Sequence, residues 1–434
     1  MTTLSAPAYS KTAPYKRRYR LDNAGKLYPA ISTSKWNWVF RITAVMKMQI
    51  DPEKLQKAAD RVMPRFPTMA VQMRTGLFWY YLEENPIRLI VRHDKGVICA
   101  PFPWREKHTF LLRILYTRQH ISVEIFHAVT DGTGAMVFLK TLIAEYLRLC
   151  GISIPTEMGV LDLEVKSPSA ETEDAFQHMP LPQSKGRKFS GKAYHFPGKM
   201  KNPNTACIMT FSIPVPLIKE KAKSIGVTIT EYLTAAILYI GYMKQTEEHP
   251  RKILPIRVSV PVNMRRFFPT ESLRNCSWFV RPEIASPFDG CTFEEIALKV
   301  QLFMKQALLP ENLYAGIAPN VANEKNLLVR LMPLPLKNLI IKMVFKAMVS
   351  RAVTTTLTNL GQIEAPDELL SQVDYFDAIL GPSFVPAANC AIVTTGATMR
   401  LTFTSNHKYP ILPFELEQLL IEQGIPVRKE IRQA

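Results

Sequence analysis

The chain has 434 residues, 47% hydrophobic content and a formal charge of +17. That length exceeds what one ordinary core supports, so two domains of roughly 200 residues are expected. The six cysteines, at positions 99, 150, 207, 276, 291 and 390, form no CxxC pair, which leaves no zinc pattern and no disulfide framework and fits free thiols in a reducing, cytoplasmic setting. The basic balance suits nucleic acid, an anionic membrane or a polyanionic small substrate. No aromatic-basic RNA motif or recognition-helix pattern accompanies it, so a nucleic-acid partner is not expected.

Residues 1–27 read as a flexible basic arm: Lys11 and Lys16-Arg17-Arg18-Tyr19-Arg20 precede the first acid, Asp22. No apolar stretch follows these cations, so the arm is not a secretory signal, and Pro7 and Pro14 argue against an amphipathic transit helix. Asp51-Pro52-Glu53 opens a helix, with Asp51 as N-cap, Pro52 in the first turn and Leu55, Ala58, Ala59 and Val62 on its buried face. Short strands are expected at Leu77–Leu82 and Ile87–Val91. A hairpin follows at Phe110–Tyr116 and Ile121–His127, joined by Thr117-Arg118-Gln119. A helix from Gly134 to Leu149 closes the first half.

Residues 151–204 are polar, rich in Pro, Ser, Lys and Glu and without a sustained period, so they read as the crossover between halves. The halves are drawn at 28–165 and 205–434, with 166–204 as the linker proper. The second half predicts a strand at Cys207–Ile213 and helices at Val215–Ser224 and Thr228–Glu248, where Thr228 and Glu231 fit a capping box. A buried strand at Ile253–Val262 delivers Asn263 and Arg265, and a helix spans Phe293–Leu308. The longest apolar run, Tyr232 to Met243, falls short of the roughly 18 to 20 residues of a membrane span and reads as a core helix.

Leu336–Arg351 has apolar Leu339, Ile340, Met343, Val344, Ala347 and Met348 opposite Asn338, Lys342 and Lys346. Two readings stand: a surface helix packed on its own sheet, which is preferred, and a basic amphipathic helix in peripheral contact with a membrane. Strands are then expected at Thr354–Thr358, Val373–Leu380, Asn389–Thr395 and Met399–Ser405, with a terminal helix at Pro413–Gln423. Strands and helices without a regular βαβ rhythm predict an α/β sandwich with mixed sheets.

The chemistry concentrates at Phe126-His127-Ala128-Val129-Thr130-Asp131-Gly132-Thr133-Gly134. Ile121, Val123 and Ile125 alternate with Ser122 and Glu124 on the way in, so strand parity points His127 inward with Ile125. A buried imidazole followed by an aspartate at i+4 and a glycine is a plausible base with its support. The alternative is a structural histidine bonded to backbone, with Asp131 as a helix N-cap.

FHAVTDGTG resembles the HxxxDG motif of the CoA-dependent acyltransferase superfamily, which includes chloramphenicol acetyltransferase, plant acyltransferases, alcohol acetyltransferases and condensation domains of nonribosomal peptide synthetases. Val260-Pro261-Val262-Asn263-Met264-Arg265-Arg266 resembles the family's PVNLR segment, Leu273-Arg274-Asn275 its GN element and Thr358-Asn359-Leu360-Gly361 its SNLG element. The matches run in family order across about residues 30 to 410. Phe126 stands where condensation domains usually carry a first histidine, which favours the acetyltransferase branch. The plant DFGWG motif is absent, since Phe376-Asp377-Ala378-Ile379-Leu380-Gly381 lacks the tryptophan. The nearest look is to bacterial alcohol acetyltransferases and polyketide-associated acyltransferases.

The resemblance implies two chloramphenicol-acetyltransferase-like α/β sandwich domains with mixed sheets and a central tunnel holding His127. It implies His127 as general base for acyl transfer from acyl-CoA, a co-substrate and not a resident cofactor, to a small hydrophobic alcohol or amine. Asp131 is expected to steady the loop by pairing with Arg265, supported by Asn263; Arg266 is the alternative partner. A backbone N–H near Gly132 is one candidate for the oxyanion donor, and no metal is implied. An acyl carrier protein is the alternative donor, and a catalytically silent scaffold of the same fold is the alternative to an enzyme.

Overall fold

The computed structural model describes residues 16–33, 37–183, 191–199, 206–248, 254–285, 291–349, 351–382 and 388–433. Most of the arm's first part, residues 1–15, and the linker stretches 184–190 and 200–205 lie outside the described residues.

The first core is built on a five-stranded mixed sheet in the order Val373–Leu380, Val39–Met46, His120–Phe126, Leu112–Tyr116 and Arg92–His93. The expected hairpin is present, with Leu112 opposite Ile125 and Tyr116 opposite Ile121. Against this sheet lies the helix Gly132–Leu149, most of whose length is buried, packed with the helix Pro52–Val62. Asp51 caps the latter, its Oδ1 accepting from the N–H groups of Glu53 and Lys54 at 2.9 and 3.2 Å. Leu55, Ala58, Ala59 and Val62 face the core as their spacing predicts, and full burial of a leucine-sized side chain stabilises by about 1.5–3 kcal/mol.

The second core surrounds an eight-stranded mixed sheet. Its path runs Ser277–Val280, Ile256–Asn263, Thr355–Gln362, Asn389–Thr395, Thr398–Ser405, Cys207–Pro214 and Arg428–Gln433, and Glu283–Ile284 also pairs with Ile256–Asn263. Thr355–Gln362 is parallel to both neighbours and the other pairs are antiparallel. The helix Ile229–Glu248 fills this core with Tyr232, Leu233, Ala236 and Ile237. Thr228 and Glu231 form the expected box: the Glu231 N–H donates to Thr228 Oγ1 at 3.2 Å and the Thr228 N–H to Glu231 Oε2 at 2.7 Å.

Several elements differ from the sequence reading. Residues 16–27 are not a free arm: Arg18–Arg20 is a strand paired with Tyr80–Glu84, and Leu21 and Asp22 are buried. The early strands fall at Val71–Thr75 and Tyr80–Glu84, because the turn closes at Gly76, whose N–H donates to the Trp79 carbonyl at 3.0 Å. Val373–Leu380, though late in the chain, adds to the first sheet, with Phe376 opposite Ala44. Local pattern cannot announce that exchange, since an apolar strand fits either sheet. Within the crossover, Ala175 and Phe176 are buried in the second core. The helix Pro310–Lys325 and the strand Arg428–Gln433 were not expected. The helix expected at Leu336–Arg351 spans Leu334–Val344 and passes into a π-helical turn, Phe345–Val349. It packs on the short helix Leu27–Ile31, with Leu336, Leu339, Met343 and Val344 exposed, so the preferred reading of a helix packed on its own sheet is corrected. No single described helix is long and apolar enough to cross a membrane.

Candidate active site around His127

His127 follows directly on the central strand His120–Phe126, and its backbone N–H donates to the Trp38 carbonyl at 2.9 Å. Tyr28 stacks on the imidazole with ring centroids 4.7 Å apart and planes 23° from parallel. Phe40 stands at 5.1 Å with a 60° tilt. Nδ1 lies 3.0 Å from Asn275 Oδ1. The amide's orientation follows from its other contacts, because Asn275 Nδ2 faces acceptors only: the His127 carbonyl at 3.0 Å and the Asp22 carboxylate at 3.1 Å. Oδ1 is therefore the atom turned to the imidazole. A carbonyl oxygen can only accept, so the neutral ring carries its proton on Nδ1 and leaves the Nε2 lone pair free.

Burial lowers the His127 pKa from its ordinary value. Its own backbone, Asp131, Asn275 and Asp22 oppose that shift and do not cancel it. The ring is thus held neutral at neutral pH, the state a general base needs.

Asp131 turns away from this chemistry. Its Oδ1 accepts the Gly134 N–H at 3.1 Å and caps the helix Gly132–Leu149. Its Oδ2 accepts from Arg265 Nη1 and from the Cys276 N–H, both at 2.8 Å. Arg265 spends its other donors on the carbonyls of Ser272 at 2.8 Å and Arg274 at 2.6 Å. Asn263 caps the short turn that carries Arg265, accepting the Arg265 N–H at 3.1 Å, and donates to Thr133 Oγ1 at 3.2 Å. The structure therefore brings Asp131, Arg265 and Asn263 together around the His127 loop; Arg266 is not the partner. Cys276 sits in the same cluster, its thiol pushed up to about 12, chiefly by burial.

Gly132 is the first residue of the helix, and a Cβ there would stand 2.6 Å from Leu360 Cδ2. Gly134 is tighter: a Cβ would meet the Leu273 carbonyl oxygen and Thr130 Oγ1, each at 2.2 Å. Thr130 Oγ1 donates to that same carbonyl at 2.5 Å. Gly361 adopts φ +79°, left-handed backbone that favours glycine, and its N–H donates to Asn359 Oδ1 at 2.8 Å. Residues 127–134, 263–276 and 358–361, far apart in sequence, thus meet at one place.

Sequence reasoning missed Asp22 and Tyr28 and gave Asn275 no role. Asp22 is fully buried and accepts the Gly25 N–H at 2.6 Å besides its bonds to Asn275. Its only signal was its position as the first acid after a basic run. A cavity of about 780 Å³ lies between Gln177–Gln183 and Ala318–Lys325, and one of about 320 Å³ lies beside Arg41, His120 and Arg432. His127 lines neither; its ring is walled by Tyr28 and Phe40. Among the described residues no cluster of His, Cys, Asp and Glu is placed to hold a metal ion.

No family model and no curated protein matches the sequence. Solved structures do match the fold. Polyketide synthase associated protein 5 from Mycobacterium tuberculosis aligns with a TM-score of 0.62 at 13% identity, over 93% of this chain and 96% of that one. TRI101 of F. sporotrichioides, complexed with coenzyme A and T-2, gives 0.61 at 13% identity, over 95% and 99%. The first condensation domain of the CDA synthetase gives 0.57 at 13% identity, over 92% and 96%. The chain therefore has the two-domain fold shared by CoA-dependent acyltransferases and condensation domains.

Proposed function

We propose that this protein is an acyltransferase that moves an acyl group from acyl-CoA to the hydroxyl or amine of a small acceptor, a hydrophobic alcohol being the expected one. The observation that carries the reading is the fixed state of His127: a partly buried, neutral imidazole whose Nδ1 proton is committed to Asn275, leaving Nε2 to accept a proton. As the acceptor oxygen attacks the thioester carbonyl, Nε2 takes its proton. The tetrahedral oxyanion then collapses, the carbon–sulfur bond breaks, and Nε2 returns the proton to the departing CoA thiolate. A backbone N–H near Gly132 remains the candidate oxyanion donor. The fold shared with TRI101, solved with coenzyme A, supports CoA as the carrier. The +17 balance suits its phosphates, so binding should weaken as salt is added. The same reading places the enzyme in the cytoplasm, where its thiols stay reduced.

The test is release of free thiol from short and long acyl-CoAs in the presence of a panel of alcohols and amines, with His127→Ala measured beside the unmutated protein. A positioned base is typically worth about 10²- to 10⁴-fold, so turnover should fall by that order while CoA affinity holds. A folded His127→Ala protein that keeps most of its turnover ends the reading. Turnover only with an acylated carrier protein, free acyl-CoA being inert, would assign the donor to the condensation-like alternative.

A further inference from the structure

The helices Leu327–Leu331 and Leu334–Val344 present aliphatic side chains to solvent. Leu327, Leu328 and Leu331 are 65%, 79% and 57% exposed, and the first helix buries none of its residues. In the second helix Leu334 and Lys337 anchor the inner side, while Leu336, Leu339, Met343 and Val344 lie exposed. The Leu334 N–H donates to the Leu77 carbonyl at 2.9 Å, which sets the 72% exposed Leu77 beside them. A contiguous set of exposed large aliphatics marks an interaction site.

Charge selects the partner. Between Glu324 and Glu364 the sequence holds no acid, but it holds Lys325, Arg330, Lys337, Lys342, Lys346 and Arg351. Arg330 and Lys342 are exposed on these helices, and Lys325 is exposed at the end of the helix Pro310–Lys325 before them. We propose that this face docks the protein peripherally on a bilayer containing anionic phospholipid, the leucines entering the interfacial region and the cations meeting the headgroups. A second copy is the poorer occupant, because a two-fold interface would set this positive face against itself.

The face is continuous with the cover of His127. Phe345, next after the second helix, stands edge-on to Trp38 at 5.8 Å; Trp38 lies 5.5 Å from Tyr28, and Tyr28 stacks on the imidazole. An acceptor alcohol dissolved in the bilayer would thus arrive beside the site. That last link rests on the proposed acyl transfer; the docking does not.

Flotation of the full chain with vesicles of phosphatidylcholine, alone or mixed with phosphatidylglycerol, tests the proposal. Binding should appear with the mixed vesicles, weaken with salt, and fall about tenfold or more in Leu328→Asp/Leu339→Asp and in Arg330→Glu/Lys342→Glu. All four positions are exposed, so thermal stability should not change, and a matched melting temperature confirms it. His127→Ala should float like the unmutated protein, which keeps docking separate from catalysis. No flotation, equal binding to both compositions, or unaffected variants would overturn the proposal. So would a concentration-dependent dimer abolished by Leu328→Asp/Leu339→Asp, which would assign the face to a second copy.

Discussion

Asn275 accepts the Nδ1–H of His127 at 3.0 Å while its own amide donates to the buried Asp22. Three residues from three parts of the chain thus fix one tautomer. Asn275→Ala removes the acceptor and frees Nδ2's two partners, so the imidazole loses both its proton's anchor and its orientation. For the proposed reaction, turnover should drop by about tenfold or more, bounded by the 10²- to 10⁴-fold typical of a positioned base. The KM for acyl-CoA should hold. A fall in KM-dependent binding with kcat intact would place Asn275 in the substrate site and not behind the histidine.

Asp131 and Arg265 form a second, separate relationship, an ion pair at 2.8 Å with side chains only 6% and 13% exposed. Breaking a buried pair from one side typically costs about 3–5 kcal/mol, because the remaining charge is stranded. Asp131→Asn and Arg265→Gln should each destabilise on that order and lose activity through a loosened His127 loop. The two changes should be non-additive by about 0.5–3 kcal/mol in a double-mutant cycle of unfolding free energies. Strict additivity would mean that the backbone bonds of Arg265 to Ser272 and Arg274, and not the pair, carry its contribution.

The two glycines of the loop should respond differently to alanine. At Gly134 the new methyl meets a backbone carbonyl that is already bonded to Thr130. Overpacking of that kind costs about 1–3 kcal/mol. At Gly132 the obstacle is the end of the Leu360 side chain, which can change rotamer. Gly134→Ala should therefore lower the melting temperature markedly more than Gly132→Ala. Equal losses would mean that Leu360 is as rigidly held as the backbone.

The contrast between these sites and the rest shows what the sequence carries. The strand leading to His127, the Asp51 cap and the Thr228 box were legible because each is written within a few residues, by alternation or by a side chain reaching its own helix end. The Asp131–Arg265 pair was legible through motifs that the family resemblance aligned. Asp22, Tyr28 and the bond from Asn275 were not, because nothing local distinguishes a buried Asp22 from a solvated one until Arg18–Arg20 pairs with Tyr80–Glu84 and draws the arm inward. Val373–Leu380 reads as a strand, but its choice of Val39–Met46 as neighbour is a tertiary decision.

The stacking of Tyr28 on His127 bears on pH. Burial is the main reason the His127 pKa lies below the ordinary value of about 6.5, and Tyr28, stacked at 4.7 Å, supplies part of that burial. In the proposed reaction the base is the deprotonated ring, so kcat/KM should rise with pH through the folded-state pKa, with its midpoint below about 6.5. Stability follows the same group: between the two pKa values the unfolded chain binds more protons, so its contribution is complete above about 6.5 and is lost as pH falls through the folded value. Asp131 and Asp22 act electrostatically in the opposite direction and offset part of the depression. Tyr28→Ala should admit water to the imidazole, move the acid limb of kcat/KM up toward about 6.5 and flatten the acid loss of stability. Tyr28→Phe keeps the ring and should leave the limb in place. The pH profiles of both variants, measured with the same acyl-CoA and alcohol, decide the matter: an unmoved limb in Tyr28→Ala would mean that Phe40 and the segment around Asn275 bury the histidine without help from Tyr28.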